Sequence, residues 1–214
     1  MPVSYDSSDT TPAIYVINEN AEWTAPLYHA LDELDSSHNR QDQAHPSSAP
    51  LYHALDELGL VYYDWNLATV SLNLSAAAPQ GIFYNRMSAS SHSRGNRYAA
   101  EMTVGVLAWL EGQGRTVLNG RSALHLEISK LIQYAALRQA GLNVPKTIAS
   151  ADSDDVIAAY SAFDGMPVIT KHNRAGKGLG VQLFRSEKGL ISYVRGDEFF
   201  PSVDGITLVQ RYIA

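Results

Sequence analysis

The sequence predicts an α/β protein built in two parts, and three observations support this prediction. Strand-like and helix-like segments alternate between residues 13 and 119, which is typical of a mostly parallel sheet. A second series of helices and strands follows. Within that series, a glycine-rich run joins two strand-like segments at 168–181 (VITKHNRAGKGLGV). We therefore expect a polar, disordered tail over residues 1–11, a first domain over 12–120 and a second domain over 121–214.

The composition excludes several classes of function. The chain has 214 residues, of which 45% are hydrophobic and 18% charged, so it is able to bury a core. Its net charge of −6 leaves no basic excess to neutralise phosphates, which argues against a nucleic-acid partner. The absence of cysteine excludes disulfides, thiol nucleophiles and cysteine-ligated zinc. The N-terminus lacks the pattern of a signal peptide, and no apolar run approaches the roughly 20 residues of a membrane span, so we expect a cytoplasmic protein without a membrane partner.

The first region has the pattern of successive strand–helix–strand units. Buried-strand patterns occur at 13–17 (AIYVI) and 60–65 (LVYYDW), and further strands are predicted at 81–84 and 117–119. An apolar segment at 101–110 predicts a buried helix between the last two of these strands. Together these segments predict the parallel sheet.

An internal repeat stands between the first two strands. The segment APLYHALDEL occurs at 25–34 and again at 49–58, separated by a polar stretch with loop composition. Two copies are too few for a solenoid. Removing residues 25–48 leaves one helix and a complete βαβ unit, so we interpret the extra copy as a local tandem duplication. A partner-binding helix is the alternative.

The second region combines helices with another set of strands. A loop around Pro145 follows its first helix. The predicted helices lie at 122–140, 153–163 and 186–195, and the predicted strands lie at 167–171, 180–184 and 206–210. The glycine-rich run therefore falls between the first two of these strands.

This run has the chemistry of a phosphate-binding turn. Gly176, Gly178 and Gly180 alternate, so the backbone there is free to approach a ligand and present its N–H groups. Lys171 and Lys177 add positive charge on either side of the turn. A tight β-hairpin with a solvated lysine is the alternative interpretation of the same residues.

The common nucleotide-binding loops do not match the run. A Walker A loop would have a glycine five residues before Gly176, and Ser or Thr would follow Lys177. A dinucleotide fingerprint would lead into a helix, whereas a strand follows here. A protein kinase would have its glycine loop ahead of the strand lysine, and here the lysine comes first.

Four segments, taken in order along the chain, resemble the first half of an ATP-grasp domain, closest to the RimK-type α-L-glutamate ligases and similar carboxylate–amine ligases. These are 117–130 (VLNGRSALHLEISK), 131–147 (LIQYAALRQAGLNVPKT), the strand–lysine–glycine run, and 206–214 (ITLVQRYIA). The resemblance implies a parallel α/β domain ahead of the grasp. It implies that the second domain is the antiparallel α+β N-terminal subdomain of an ATP-grasp fold, truncated here, with ATP as its cofactor.

By resemblance, Lys130 and Lys171 contact the phosphates of ATP, and the glycine turn at 176–180 closes over them. Taken alone, the Lys130 pattern favours a surface lysine whose stem snorkels along an amphipathic helix. Lys171 differs, because a lysine at the end of a buried strand is costly unless it is paired or lies at a site.

The last strand resembles the hinge at which the family binds adenine. By that resemblance Gln210 contacts the exocyclic amine, and the backbone of Tyr212 and Ile213 pairs with the ring edge. Arg211 stands where family members often have an acidic residue. A plain edge strand is the alternative.

A loop rich in Arg, His and Ser follows the strand at 81–84. It contains Arg86, His92, Arg94 and Arg97 at the carboxyl end of a predicted parallel strand, where α/β sheets tend to bind ligands. Arg86 and Arg94 are therefore candidates for holding an anionic substrate such as a carboxylate. A solvated loop is the alternative.

These observations predict the ATP-binding portion of a carboxylate–amine ligase that acts through an acyl phosphate on small-molecule or peptide substrates. The family's second half supplies the residues that hold Mg²⁺, and this sequence stops at Ala214. We therefore expect Mg²⁺ only together with that half, no catalytic residue or activity in this fragment, and homo-oligomers formed through an apolar edge. A truncated, non-catalytic nucleotide-binding or interaction module is the alternative.

Deletion of residues 25–48 tests the duplication. One helix suffices between the first two strands, and a long polar insertion costs closure entropy, so the melting temperature should stay unchanged or rise. Calorimetry and circular dichroism on the deletion variant would measure this. An aggregated or molten product would contradict the interpretation.

Overall fold

The structure is a computed structural model that describes residues 13–19, 50–176 and 178–213. The predicted tail, the first copy of the repeat and the segment 25–48 lie outside these residues. None of the described helices is both long and apolar enough to cross a membrane.

Two compact units make up the described chain. The first contains the described residues as far as Ser91 together with Tyr98–Arg121. The second contains His92–Arg97 together with the described residues from Ser122 onward. The part of the Arg, His and Ser loop that contains His92, Arg94 and Arg97 is therefore assigned to the second unit, and the first unit resumes after it.

The first unit is built around a four-stranded parallel sheet in the order β2-β1-β3-β4. The strands are β1 (Ala13–Asn18), β2 (Tyr62–Asn66), β3 (Gly81–Asn85) and β4 (Thr116–Leu118). Helix α1 (Pro50–Glu57) precedes β2, and helix α2 (Ala99–Gly112) precedes β4. All neighbouring strands are parallel, which confirms the predicted parallel α/β sheet.

Aromatic side chains from adjacent strands form a row on one face of this sheet. Tyr15 stacks on Phe83, with ring centroids 4.7 Å apart, and on Tyr63, with centroids 5.1 Å apart. The register explains both contacts, since each partner stands directly opposite Tyr15. Val16 points to the other face, where it packs with Leu55 of α1.

An asparagine stands at the carboxyl end of every strand in this sheet. Asn18, Asn66 and Asn85 are the last residues of their strands, and Asn119 directly follows β4. The Asn85 side chain donates to the Asn119 carbonyl at 2.8 Å, and the Asn119 side chain donates to the Asn85 carbonyl at 3.2 Å. Asn119 has a left-handed backbone (φ 55°), a conformation that asparagine tolerates better than most residues.

The second unit contains a four-stranded antiparallel sheet in the order β5-β8-β6-β7, as the resemblance implies. The strands are β5 (Thr147–Ser150), β6 (Val168–His172), β7 (Gln182–Phe184) and β8 (Thr207–Arg211). The helices of this part of the chain are α3 (Arg121–Ile128), α4 (Lys130–Gln139), α5 (Ser153–Ala158) and α6 (Glu187–Val194).

Helices cover one face of the antiparallel sheet and form its core. The buried residues come from three strands, from α5 and α6, and from the 3₁₀ turn Ala159–Phe163. They include Val156, Phe163, Val168, Phe184, Leu190 and Val209. Asp152 caps α5 by accepting from the Asp154 and Asp155 N–H groups at 2.8 and 3.1 Å, which fixes the direction in which this helix leaves β5.

The predicted single helix at 122–140 is wrong, because the chain forms two helices that meet at Ser129. Ser129 has an extended backbone (φ −141°, ψ 111°), and its hydroxyl accepts from the Ile132 N–H at 3.3 Å as the N-cap of α4. The predicted loop around Pro145 is present, but it leads into strand β5, which was not predicted and which pairs with β8 from Thr147 to Ser150. That pairing joins segments about 60 residues apart, so local sequence patterns do not reveal it.

Gly81 is expected to be indispensable to the parallel sheet. A Cβ atom there would lie 2.3 Å from the Ala13 carbonyl oxygen and 2.9 Å from the Tyr15 ring, and both belong to the adjoining strand. Gly81→Ala should therefore destabilise the protein by about 2 kcal/mol or more in urea unfolding. The matched control is Gly105→Ala in α2, where a Cβ meets nothing within 4 Å and should stabilise by about 0.5–1 kcal/mol. Equal unfolding midpoints for the two variants would contradict this packing.

Candidate functional site

The face of the antiparallel sheet opposite the core presents polar side chains. Val168 lies in the core, so alternation along β6 places Ile169 and Lys171 on the other face. Gln210 stands directly opposite Ile169 in the register and therefore shares this face with Lys171. The sheet thus brings together the lysine and the glutamine that the sequence assigns to the two ends of ATP.

Helix α4 adds a tyrosine that the sequence analysis did not single out. The Lys171 ammonium donates to the Tyr134 hydroxyl at 2.7 Å and lies 5.3 Å from the centroid of its ring. Tyr134 stands four residues after Lys130, and residues at that spacing share a helix face. That spacing is the signal from which Tyr134 could have been found.

Gln210 is buried, and its amide contacts the Thr147 hydroxyl of β5. Its Nε2 donates to that hydroxyl at 2.8 Å, and the Thr147 hydroxyl in turn donates to the Pro145 carbonyl at 2.9 Å. Burial raises the pKa of Tyr134, but the hydrogen bond from Lys171, the neighbouring Gln210 amide and the charges of Lys171 and Lys130 outweigh burial and lower the pKa overall. The Tyr134 hydroxyl therefore lies in a cationic environment.

Lys130 points toward the glycine turn. Its ammonium donates to the Ala175 carbonyl at 2.6 Å and to the Asn173 carbonyl at 3.4 Å. Burial and the nearby Lys171 ammonium lower the pKa of Lys130, against weaker opposing effects from surrounding acidic groups. Lys130 is thus half-buried and bonded, unlike a surface lysine that extends into solvent.

Asn173 connects this lysine to the rest of the unit. Its side-chain oxygen accepts from the Leu131 N–H at 2.8 Å, and its side-chain nitrogen donates to Ser129 at 3.1 Å and to Asp204 at 2.7 Å. The main-chain carbonyl accepts from the Lys130 N–H at 3.2 Å. A single buried side chain therefore joins the start of α4, the end of β6 and the loop before β8.

The glycine turn depends on two residues with positive φ. Gly178 and Gly180 have φ values of 76° and 73°, a region that favours glycine. A Cβ on Gly180 would lie 2.3 Å from the His172 ring, so only glycine fits there. Gly176 is exposed at the start of the turn, and Lys177 lies outside the described residues.

The predicted adenine hinge is partly used within the protein. The Tyr212 N–H donates to the Pro167 carbonyl at 2.9 Å and is therefore occupied in this structure. Ile213 is 63% exposed at the end of the described chain. Their contacts with a nucleotide stay predictions.

The structure assigns the two candidate substrate arginines to different units. Arg86 directly follows β3 in the first unit, is exposed, and donates its main-chain N–H to the Ile17 carbonyl at 2.9 Å. Arg94 belongs to the second unit, where it ends the 3₁₀ turn Ser91–Arg94. In the same unit, the Arg97 guanidinium donates to the Val203 carbonyl.

Across residues 13–19, 50–176 and 178–213, no group of three or more His, Asp or Glu residues is placed to hold a metal ion. Accordingly, no described residue is assigned to Mg²⁺.

Comparison with known proteins identifies the fold. No family model matches the chain, and no curated protein matches its sequence. Among solved structures, the RimK domain ATP-grasp protein from Sphaerobacter thermophilus is 17% identical with a TM-score of 0.58, over 94% of this chain and 64% of that one. D-alanyl-alanine synthetase A from Vibrio cholerae is 12% identical with a TM-score of 0.59, over 97% and 61%. D-alanine–D-alanine ligase from Bacillus anthracis is 15% identical with a TM-score of 0.57, over 95% and 58%.

The chain therefore has the fold of ATP-grasp ligases, as the sequence resemblance implies. It spans about three fifths of the length of the three proteins named above, at 58–64%. At these identities the likeness establishes the fold, so the activity is argued from the site residues.

Protonation of His172 should weaken the second unit in acid. Its ring rests on Gly180, and its Nε2–H donates to the Phe200 carbonyl at 3.1 Å. Burial, helped by the charges of His92 and Lys130, lowers the pKa of His172 below its ordinary value of 6.5. The unfolded chain therefore binds the proton more tightly, so stability is complete above pH 6.5 and falls as the pH drops toward the folded pKa.

Chemical unfolding of wild type and His172→Gln at pH 7.5 and at about pH 5 measures this effect. The wild type should lose more stability between the two pH values than the variant. His125→Gln on α3 is the matched control. This variant should lose as much stability between the two pH values as the wild type does. An identical pH dependence in wild type and His172→Gln would contradict the burial argument.

Proposed function

We propose that the chain is the ATP-binding portion of a ligase that joins a carboxylate to an amine through an acyl phosphate, of the RimK type. The main support is that Lys171 and Gln210 lie on one face of an antiparallel sheet whose fold is that of ATP-grasp ligases, and that Lys130 donates to the Ala175 carbonyl at the start of the glycine turn. A fold alone does not specify chemistry, but two ammonium groups beside a glycine turn match a polyphosphate.

The phosphate end of the site would be formed by the two lysines and the turn. The Lys171 ammonium has three N–H donors, of which Tyr134 accepts one, so two are left for phosphate oxygens. Lys130 contacts the Ala175 carbonyl at the entrance to the turn, so its charge lies next to Gly176, the first glycine of the turn. Anionic oxygens there would offset the burial and the Lys171 charge that lower the pKa of Lys130.

The adenine end would be formed at β8. The Gln210 amide nitrogen donates to the Thr147 hydroxyl, so its amide oxygen is the group suited to accept from the exocyclic amine of adenine. In this proposal Tyr212 and Ile213 line the same end, with the Tyr212 N–H released from Pro167 or replaced by main-chain groups of Ile213.

The substrates proposed are small-molecule or peptide carboxylates and amines. Arg86 and Arg94 are the proposed carboxylate ligands, because guanidinium groups bind carboxylates in a bidentate manner. When ATP is bound, it would supply the phosphoryl group that activates the carboxylate. A cytoplasmic location and self-association stay predictions.

Alanine substitution of Lys171 tests the site. A charge-assisted phosphate contact is worth roughly 1.5–3 kcal/mol, so Lys171→Ala should weaken ATP binding about tenfold or more. Lys177→Ala should have a smaller effect, since the sequence predicts Lys177 in the glycine run and not at the end of a strand. Ligand-observed NMR titration suits this measurement, because it detects millimolar affinities.

Lys188→Ala provides the control, because Lys188 is exposed on α6. It should leave ATP affinity unchanged. If Lys171→Ala binds ATP as tightly as wild type, the phosphate assignment is wrong. If wild type shows no ATP binding at millimolar concentration, the proposed function of this chain fails.

A further inference from the structure

Lys130 is attached at both ends to one short segment that begins at the end of β6. Its main-chain N–H donates to the Asn173 carbonyl at 3.2 Å. Its ammonium group donates to the same carbonyl at 3.4 Å and to the Ala175 carbonyl at 2.6 Å. Whatever fixes Asn173 against the start of α4 therefore also fixes the charge of Lys130 at the entrance to the glycine turn.

The Asn173 side chain bonds to the two residues that flank Lys130 in the sequence. Its amide oxygen accepts from the Leu131 N–H at 2.8 Å, and its amide nitrogen donates to the Ser129 hydroxyl at 3.1 Å. Together with the main-chain bond to Lys130, one residue of the sheet thus contacts three consecutive residues at the start of α4. Asn173 is only 2% exposed, so water is not at hand to replace these bonds.

Asp204 determines which way the Asn173 amide faces. A carboxylate oxygen of Asp204 accepts from the amide nitrogen at 2.7 Å, and an ionised carboxylate is able only to accept. The other carboxylate oxygen accepts from the Ile206 N–H at 3.3 Å, while the Ile206 carbonyl accepts from the Asn173 N–H at 3.1 Å. The amide oxygen is thereby directed to the Leu131 N–H, where a flipped amide would oppose one donor with another.

We propose that Asn173 and Asp204 form a positioning pair that holds Lys130 at the entrance to the glycine turn, where it would meet a phosphate group. The proposal rests on the proposed function, in which Lys130 contacts the phosphates of ATP, and adds two residues that act through Lys130. The four-carbon stem of a lysine is flexible, so fixing it before the nucleotide arrives reduces the ordering cost of binding.

A double-mutant cycle between Asn173 and Lys130 tests the pair. Ligand-observed NMR titrations of the 214-residue chain with ATP would compare wild type, Asn173→Ala, Lys130→Met and the double variant. Lys130→Met keeps an apolar stem without the charge and should weaken binding about tenfold or more, and Asn173→Ala should weaken it about 5- to 10-fold. Because Asn173 acts through Lys130, adding Asn173→Ala to Lys130→Met should cost less than about twofold more.

A merely structural role for Asn173 gives a different result in this cycle. Asn173→Ala would then reduce ATP affinity by the same factor with or without Lys130, and such additive losses would overturn the proposal. An unchanged affinity in Asn173→Ala would overturn it as well. Asn143→Ala is the matched control, since Asn143 is exposed between α4 and β5 and should leave ATP affinity unchanged. Circular dichroism shows whether each variant is folded.

Exchange of the two side chains is a second test, which decides the question if Asn173→Ala does not fold or if Lys130→Met binds too weakly to measure. Asn173→Asp brings two carboxylates together and should weaken ATP binding about fivefold or more, or unfold the chain. Adding Asp204→Asn places a donor opposite an acceptor again, at the net charge of wild type. The exchanged variant should bind ATP within about twofold of wild type, and weaker binding would overturn the pair.

Failure of wild type to bind ATP at millimolar concentration would overturn the proposed function and the positioning pair together. Additive losses in the cycle, or an exchanged variant that is not rescued, would overturn the positioning pair alone. ATP binding by wild type and its loss in Lys171→Ala would then still support the proposed function, because neither measurement involves Asn173 or Asp204.

Discussion

The buried amide of Asn173 is the contact on which the geometry of the site depends. It bonds to the start of α4, to Asp204 in the loop before β8, and through its main chain to Lys130. A buried polar side chain is tolerated only when its donors and acceptors have partners, and Asn173 meets this requirement. Because α4 has no fully buried residue, these bonds replace the apolar packing that usually positions a helix.

The position of α4 in turn determines the position of the charges. Lys130 begins the helix and Tyr134 lies one turn further, so one rigid element directs an ammonium to the Ala175 carbonyl and a hydroxyl to Lys171. Burial of the Lys130 ammonium and repulsion from the Lys171 ammonium together lower the pKa of Lys130. Such an arrangement is costly in an empty protein and becomes favourable when an anion binds, which is the electrostatic basis of the function proposed here.

Local sequence patterns predicted some of the site residues and missed others. The strand patterns placed Lys171 and Gln210 at the ends of two predicted strands, and the order of segments indicated the ATP-grasp fold, but only the register of β6 with β8 shows that the two side chains share a face. For Lys130 the local pattern favoured a snorkelling surface lysine, and the structure shows it half-buried and bonded to a carbonyl instead. Tyr134 and Asn173 were missed, because each acquires its partners from segments 31–44 positions away in the sequence.

The sequence by itself determined the parallel sheet and the glycines of the turn, because the alternation of strands with helices and the freedom of glycine are local properties of the chain, while the antiparallel character of the second sheet came from the resemblance to ATP-grasp domains. Only the tertiary structure decided the pairing of β5 with β8, the contact of Tyr134 with Lys171, and the bonds from Asn173 to Leu131 and Asp204. Each of these depends on hydrogen bonds between distant segments, whose donors and acceptors have no local signature until the chain has folded.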